Sequence, residues 1–283
     1  MNLRKIVCFT VVGVVICAGV YAQNLSGKNY DPATDPDIDM FISSWTHSMP
    51  RNTHGSLIER DILTKGDHLK PPRKGAVLEY INRFCHASLY AGESTVPTAL
   101  KGEQEAFYVI SGTGEVSGGG KAYKLSNGAS FLAPEGLEFT IKNTGSEPLT
   151  MYLVSEPTYD GFVPRKDIYY TTEASTPFNS VVGHWSYQEK DLLLKQHGFA
   201  TLHAVITLTM DPMTIGHPHT HNNGMEEVWT TISGDNIAWL GTELRPQPAG
   251  TAYMIPPDGK TNHSNINKSE TGQVKMLYFA VRP

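Results

Sequence analysis

The chain has 283 residues, a formal charge of −5, 18% charged and 40% hydrophobic residues, with 26 glycines and 18 prolines. Its acids are spread along the sequence and no basic stripe is present, which argues against nucleic acid as a partner. Low charge, abundant Gly and Pro, and many Thr, Tyr and Val direct the fold class to all-β.

Asn2-Leu3-Arg4-Lys5 is a short basic start, Ile6 to Val20 is an apolar run, and Val20-Tyr21-Ala22 offers small residues for cleavage before Gln23. Residues 1–22 therefore read as a signal peptide rather than an uncleaved anchor, since the run of about 15 residues falls short of the roughly 20 that a span needs. Bulky Ile16 before Cys17 argues against a lipid-attachment box. Cleavage removes Arg4 and Lys5, taking the charge from −5 to about −7, and leaves Cys85 as the sole cysteine. The expectation is an exported protein, periplasmic or extracellular, with no stable membrane anchor and no internal disulfide. Its stability then rests on an apolar core, which the remaining chain can supply as one large or two medium domains. Cys85 is expected to be a buried, inert thiol.

Residues 23–60 read as an extended N-terminal arm, acidic at Asp31, Asp35, Asp37 and Asp39. Such an arm can reach a neighbouring subunit, which keeps a homodimer open as a partner. The stretch from Trp45 to His54 reads as a loop, with a sugar or acid pocket as the alternative. Beyond it come short segments of strand character, including Ala76–Ile81, Ala106–Ile110 and Leu149–Val154. They are separated by turn residues such as Ser111-Gly112-Thr113-Gly114, Gly118-Gly119-Gly120 and Asn127-Gly128, the spacing of a sandwich or barrel. Tyr187 to Gln196 is the best helix candidate, and it is short.

An internal repeat organises the rest. Aligning Ile110-Ser111-Gly112 with Ile232-Ser233-Gly234 puts Glu105 on Glu227, Phe107 on Trp229 and Gly128 on Gly250. After single-residue insertions, Gly136 falls on Gly259, Phe139 on His263 and Asn143 on Asn267. Two copies of one β-module follow, over 61–160 and 183–283, with a linker at 161–182.

The second copy carries His217-Pro218-His219-Thr220-His221, then Glu226 and Glu227, and later His263; the first has none of these histidines. Neutral imidazoles with a carboxylate are what a divalent metal takes as ligands. Gly216, His219, His221, Glu227 and Gly234, followed by Gly250, Pro257-Asp258-Gly259, His263 and Asn267, resemble the two motifs of the cupin superfamily in its two-domain, bicupin form. The first copy fits that pattern in outline through Glu105, Gly112, Gly128, Pro134-Glu135-Gly136 and Asn143. The resemblance covers about residues 80–155 and 200–283. It implies two double-stranded β-helix (jelly-roll) barrels, consistent with the strand reading.

The resemblance also implies one divalent metal ion held by His219, His221, Glu227 and His263. Fe, Mn, Ni, Cu and Zn all accept this set. Residues two apart on a strand share a face, so His219 and His221 can aim at one ion. Glu226 lies at the commoner spacing from His221, but the glycine register selects Glu227 and turns Glu226 outward. His217 is expected as a hydrogen-bonded rim residue, with a substitute ligand or base as the alternative. Lys260 and Asn262 are candidates for anchoring a carboxylate or hydroxyl at the mouth. Trp229, Trp239, Tyr253 and Met254 either face the pocket or pack the core.

In the first copy, family spacing places Thr98 and Leu100 at the histidine positions, while the ungapped repeat alignment places Pro97 and Ala99 there. Phe139 stands where the last histidine would be, so Glu105 alone remains and this half reads as metal-free. Glu105 is expected to hydrogen-bond near Thr98 or Tyr108, or to mark a residual pocket. The functional expectation is a metalloenzyme acting on a small oxygen-rich substrate, a sugar or organic acid, by oxygenase, decarboxylase, isomerase or lyase chemistry. A non-catalytic carbohydrate or small-ligand binder is the alternative.

Overall fold

The structure is a computed structural model that describes residues 36–179, 186–221 and 224–282. The signal peptide expected over 1–22 and the first part of the arm lie outside the described residues.

Alternation in the first module builds two antiparallel sheets. The larger runs in the order Tyr169–Thr172, Ala129–Ala133, Glu103–Ser111, Leu149–Pro157, Arg83–Leu89, Leu57–Lys65, Arg51–Thr53. Ala76–Leu78 is added in parallel on Leu57–Lys65. The smaller runs Thr98–Ala99, Glu138–Asn143, Gly114–Gly118, Lys121–Leu125. The second module repeats this arrangement. Its larger sheet is Ile42–Ser44, Thr251–Met254, Glu226–Ser233, Val274–Val281, Leu202–Met210, Tyr187–Leu194, and its smaller is Thr214–Ile215, His263–Asn267, Asn236–Leu240, Glu243–Gln247. In each module the small sheet covers one face of the large one, which is the jelly-roll barrel expected from the sequence.

The register matches the repeat residue for residue. Phe139 pairs with Gly118 and His263 with Leu240, and these partners are themselves equivalent in the two modules. Gly112 and Gly234, Gly128 and Gly250, and Gly136 and Gly259 all hold positive φ, between 71° and 89°. L-residues with side chains avoid that region, so these glycines fix the turns that set the register.

From Asp37 onward the chain is one compact unit. Three apolar clusters explain this. Phe107, Phe131, Phe139 and Ile141 belong to the core of the first barrel, and Trp229, Tyr253, Ala238 and Met276 to that of the second. Phe84, Tyr108, Tyr152, Val228, Leu277 and Phe279 form a third between the two large sheets, with the Phe84 and Phe279 rings 5.1 Å apart. The large sheets are thus buried on both faces. This is why Ala129–Ala133 and Thr251–Met254 are buried at every position.

Two buried carboxylates tie the modules together in mirrored fashion. Glu226 in the second accepts from the Glu79 and Tyr80 amides of the first at 2.6 and 3.1 Å. Glu156 in the first accepts from the Ala200, Thr201 and Leu202 amides of the second at 2.9, 2.7 and 2.5 Å. Burial pushes both carboxyls above their ordinary range, Glu226 to about 7.

Three sequence expectations are corrected. Tyr187–Leu194 is a strand, not a helix. A bulge between Asp191 and Leu193 breaks the alternation that would have marked it as a strand. The arm is not merely extended: Ile42–Ser44 pairs with Thr251–Met254 of the second barrel, and Arg51–Thr53 forms a hairpin with Leu57–Lys65 of the first. The expected linker contains a strand as well, Tyr169–Thr172, paired with Ala129–Ala133 of the first barrel. Each barrel therefore receives a strand from the segment that precedes the other.

Candidate metal centre

The segment leading to His219 and His221 leaves the small sheet after Thr214–Ile215, so strand alternation does not position these two residues. His219 is instead fixed by a single antiparallel bridge to His263, with backbone hydrogen bonds of 2.9 and 3.3 Å. The three imidazoles then converge. His263 Nε2 lies 2.9 Å from His221 Nε2 and 3.2 Å from His219 Nε2. The ligand atoms of all three lie within 4.8 Å of one another.

Glu227 begins the strand Glu226–Ser233 and turns into the barrel. Its Oε2 is 3.1 Å from His221 Nε2 and its Oε1 is 3.6 Å from His263 Nε2. It thus contacts the His221 and His263 rings. Trp229 Nε1 donates to Oε1 at 2.6 Å and the Tyr278 hydroxyl to Oε2 at 3.1 Å. Burial opposes ionisation of Glu227, but the neighbouring histidines and the Trp229 donor outweigh it and hold the carboxyl at about 2. Burial and the Glu227 charge raise the Tyr278 hydroxyl well above its usual range, so it stays a donor.

This donor set fits a divalent cation. His219 Nδ1 lies 2.8 Å from the His217 carbonyl, which can accept only if Nδ1 carries the proton. Its Nε2 is then a lone pair aimed at the cluster. His263 Nε2 faces two imidazole nitrogens and a carboxylate oxygen, and one proton cannot serve all of them. A cation coordinated through the Nε2 atoms, with His219 Nδ1 bonded to the His217 carbonyl, resolves that excess of acceptors.

The remaining predicted residues fall elsewhere. Glu226 points the opposite way from Glu227, into the contact between barrels described above. His217 is exposed, its carbonyl bonded to His219 and its ring 5.9 Å from that of His219. Lys260 and Asn262 are exposed. Trp229, Tyr253 and Met254 are buried, and Trp229 proves to be a partner of Glu227. Trp239 is half-buried on the outer face of the small sheet.

In the first barrel the same location is filled differently. Glu105 is fully buried, with Arg83 Nη2 at 2.6 Å from Oε1 and His54 Nε2 at 3.2 Å from Oε2. Arg83 also binds Glu59 at 3.2 Å and Glu103 at 2.9 Å, and Arg51 reaches Glu59 at 2.5 Å. The expectation of a hydrogen bond from Thr98 or Tyr108 to Glu105 is corrected: the Thr98 hydroxyl donates to the Val96 carbonyl and the Tyr108 hydroxyl to Glu173. Leu100 and Phe139 are buried, and Phe139 packs 5.7 Å from the His54 ring. His54, Glu59 and Glu105 have the spacing of a ligand set. Here, however, a guanidinium already supplies the positive charge.

Sequence reasoning missed Arg83, His54 and Glu59 around Glu105, and Tyr278 on Glu227. The signal for Tyr278 was present, since it stands in the repeat position of Leu153, where a phenol replaces an aliphatic residue. His54 lies on a hairpin outside both motifs and gave no such signal.

Comparisons agree with the fold. The Cupin domain family matches residues 86–155, within the first module. Among curated proteins, none matches the sequence. Among solved structures, the Ylba protein of E. coli is similar with a TM-score of 0.63 at 15% identity, covering 92% of this chain and 96% of that one. AerE of Microcystis aeruginosa gives 0.63 at 12%, covering 86% and 100%. A deletion mutant of Bacillus subtilis oxalate decarboxylase gives 0.61 at 14%, covering 87% and 78%. At these identities the likeness is one of fold.

Proposed function

We propose that this chain of two cupin-like barrels is a divalent-metal-dependent enzyme whose reaction takes place in the second barrel. The observation that carries this reading is the convergence of the His219, His221 and His263 Nε2 atoms beside the Glu227 carboxylate. These four residues would hold the ion, with Fe, Mn, Ni, Cu and Zn all acceptable to the set. Bound there, a metal supplies Lewis acidity toward a carboxylate, hydroxyl or carbonyl of a small molecule.

The chain's own groups would do the rest. Trp229 and Tyr278 keep Glu227 oriented and anionic. The His217 ring, exposed beside His219, would move a proton at the mouth. Lys260 and Asn262 lie just before His263 and would meet the anionic or hydroxyl end of an organic acid or sugar. Oxalate decarboxylase, a fold neighbour, acts on a small dicarboxylate, which places such acids first among substrates to try. The first barrel serves as a metal-free partner that buries the back of the second. The N-terminal 22 residues are read as a signal peptide for export, and no described helix is long and apolar enough to cross a membrane.

The test compares wild type with His219→Ala, each reconstituted with the five metals and screened against small organic acids and sugars. The enzyme reading expects His219→Ala to lose metal and turnover while keeping its fold. Ligand affinity that survives metal removal, with no turnover under any metal, would establish the binder instead.

A further inference from the structure

The two barrels are an internal control for each other, because paired positions can be read from one register. In the first barrel the inward positions behind Phe139 are apolar: Ile141, Phe131, Leu125, Val109 and Gly114. The equivalent positions behind His263 are Asn265, Tyr253, Gln247, Thr231 and Asn236. All five are buried. A barrel that needed only to fold had an apolar solution available in the same chain, so this polar interior needs another explanation.

The polar groups form one connected network with Asn265 at its centre. Asn265 Oδ1 accepts from Asn236 Nδ2 at 2.8 Å and from the Tyr253 hydroxyl at 3.2 Å, and its Nδ2 donates to the Tyr187 hydroxyl at 3.4 Å. Gln247 Oε1 accepts from Asn236 at 2.8 Å. Asn265 lies two residues from His263 on the same inward face. Its backbone carbonyl accepts from the Gly216 amide at 2.9 Å, where the chain turns toward His219. Tyr187 completes that junction: a Cβ at position 216 would sit 1.9 Å from its hydroxyl oxygen, so the phenol occupies the space that the absent side chain leaves. Ser264 Oγ donates to the Gly216 carbonyl at 2.8 Å from the other side.

We infer that Asn265 and Tyr187 are positioning residues for the metal centre. They fix the strand bearing His263 against the segment bearing His219 and His221, so that the three Nε2 atoms meet. This rests on the reading of the second barrel as a metal site. Groups that orient ligands in this way are typically worth about 10–100-fold in metal affinity.

The test titrates Co(II), as a spectroscopic probe, into the full mature protein and two variants. Asn265→Ile installs the residue that the first barrel carries at this position, and Tyr187→Phe removes one hydroxyl at constant shape. The expected result is about 10–100-fold weaker Co(II) binding and a shifted d–d absorption spectrum at saturation, with cooperative unfolding retained. Should Asn265→Ile fail to fold, Tyr187→Phe decides alone. Wild-type affinity and spectrum in a folded variant, even with a lowered Tm, would show a structural role only and overturn the inference. Absence of Co(II) binding by wild type would instead bring down the metal reading, and this inference with it.

Discussion

Replacing Arg83 with Met tests whether a guanidinium has taken over the charge-balancing work of a metal in the first barrel. Arg83 contacts Glu105, Glu59 and Glu103, and the first two are fully buried. Removing it leaves Glu105 with only His54, while Glu59 keeps Arg51. Breaking a buried ion pair from one side costs about 3–5 kcal/mol, chiefly because the remaining charge stays desolvated. The Arg83 side chain is 20% exposed, so water reaches the site and the lower half of that range is expected. At about 2–4 °C per kcal/mol for a domain of this size, Tm should fall by roughly 6–16 °C. Thermal unfolding followed by circular dichroism measures it. The companion variant Arg83→Met/Glu105→Gln removes the stranded charge and should recover part of the loss. If Arg83→Met unfolds within about 0.5 kcal/mol of wild type, as an ordinary surface change does, the network is not what stabilises that barrel.

Neighbouring glutamates should separate cleanly. Glu226→Ala strands the Glu79 and Tyr80 amides between the barrels and should cost about 1–3 kcal/mol while metal content is unchanged, whereas Glu227→Ala should lose metal; metal analysis beside urea unfolding distinguishes them, and the reverse pattern would refute the assignment. His54 gives a pH signature. Burial alone would lower its pKa, but the Glu105 carboxylate prevails and raises it. Its contribution is therefore fully present below the unfolded value near 6.5 and is lost as pH rises through the raised folded value. His54→Asn tolerates the left-handed backbone there, with φ of 48°. It should be less stable than wild type by about 1.5–3 kcal/mol at low pH, with the gap closing on the alkaline side. A gap independent of pH would contradict the ion pair.

The legible part of this protein was whatever a short sequence pattern encodes directly. Paired glycines with positive φ and the Ile-Ser-Gly repeat gave the two modules and their register. That same register turned Glu227, rather than Glu226, toward the histidines. Other features depend on contacts that no local pattern records. Arg83 meets Glu105 across two strands, and His54 reaches it from a hairpin ahead of the recognisable module. The stretch from Tyr187 to Gln196 lacked a strand pattern because a bulge between Asp191 and Leu193, invisible in composition, reset the alternation. The exchange of Ile42–Ser44 and Tyr169–Thr172 between barrels was hidden because short strands in a polar arm and a linker carry little apolar signal. The polar interior around Asn265 was readable in principle, but only once the repeat was traced position by position.

The central claim, one metal centre in the second barrel and none in the first, is tested most directly by elemental analysis. Residues 23–283 would be purified without chelator beside the His219→Ala/His263→Ala double variant. About one equivalent of a divalent transition metal per wild-type chain and none in the variant is the predicted result. A wild type that stays empty after reconstitution with Fe, Mn, Ni, Cu and Zn in turn, or a double variant that retains a full equivalent, would contradict it.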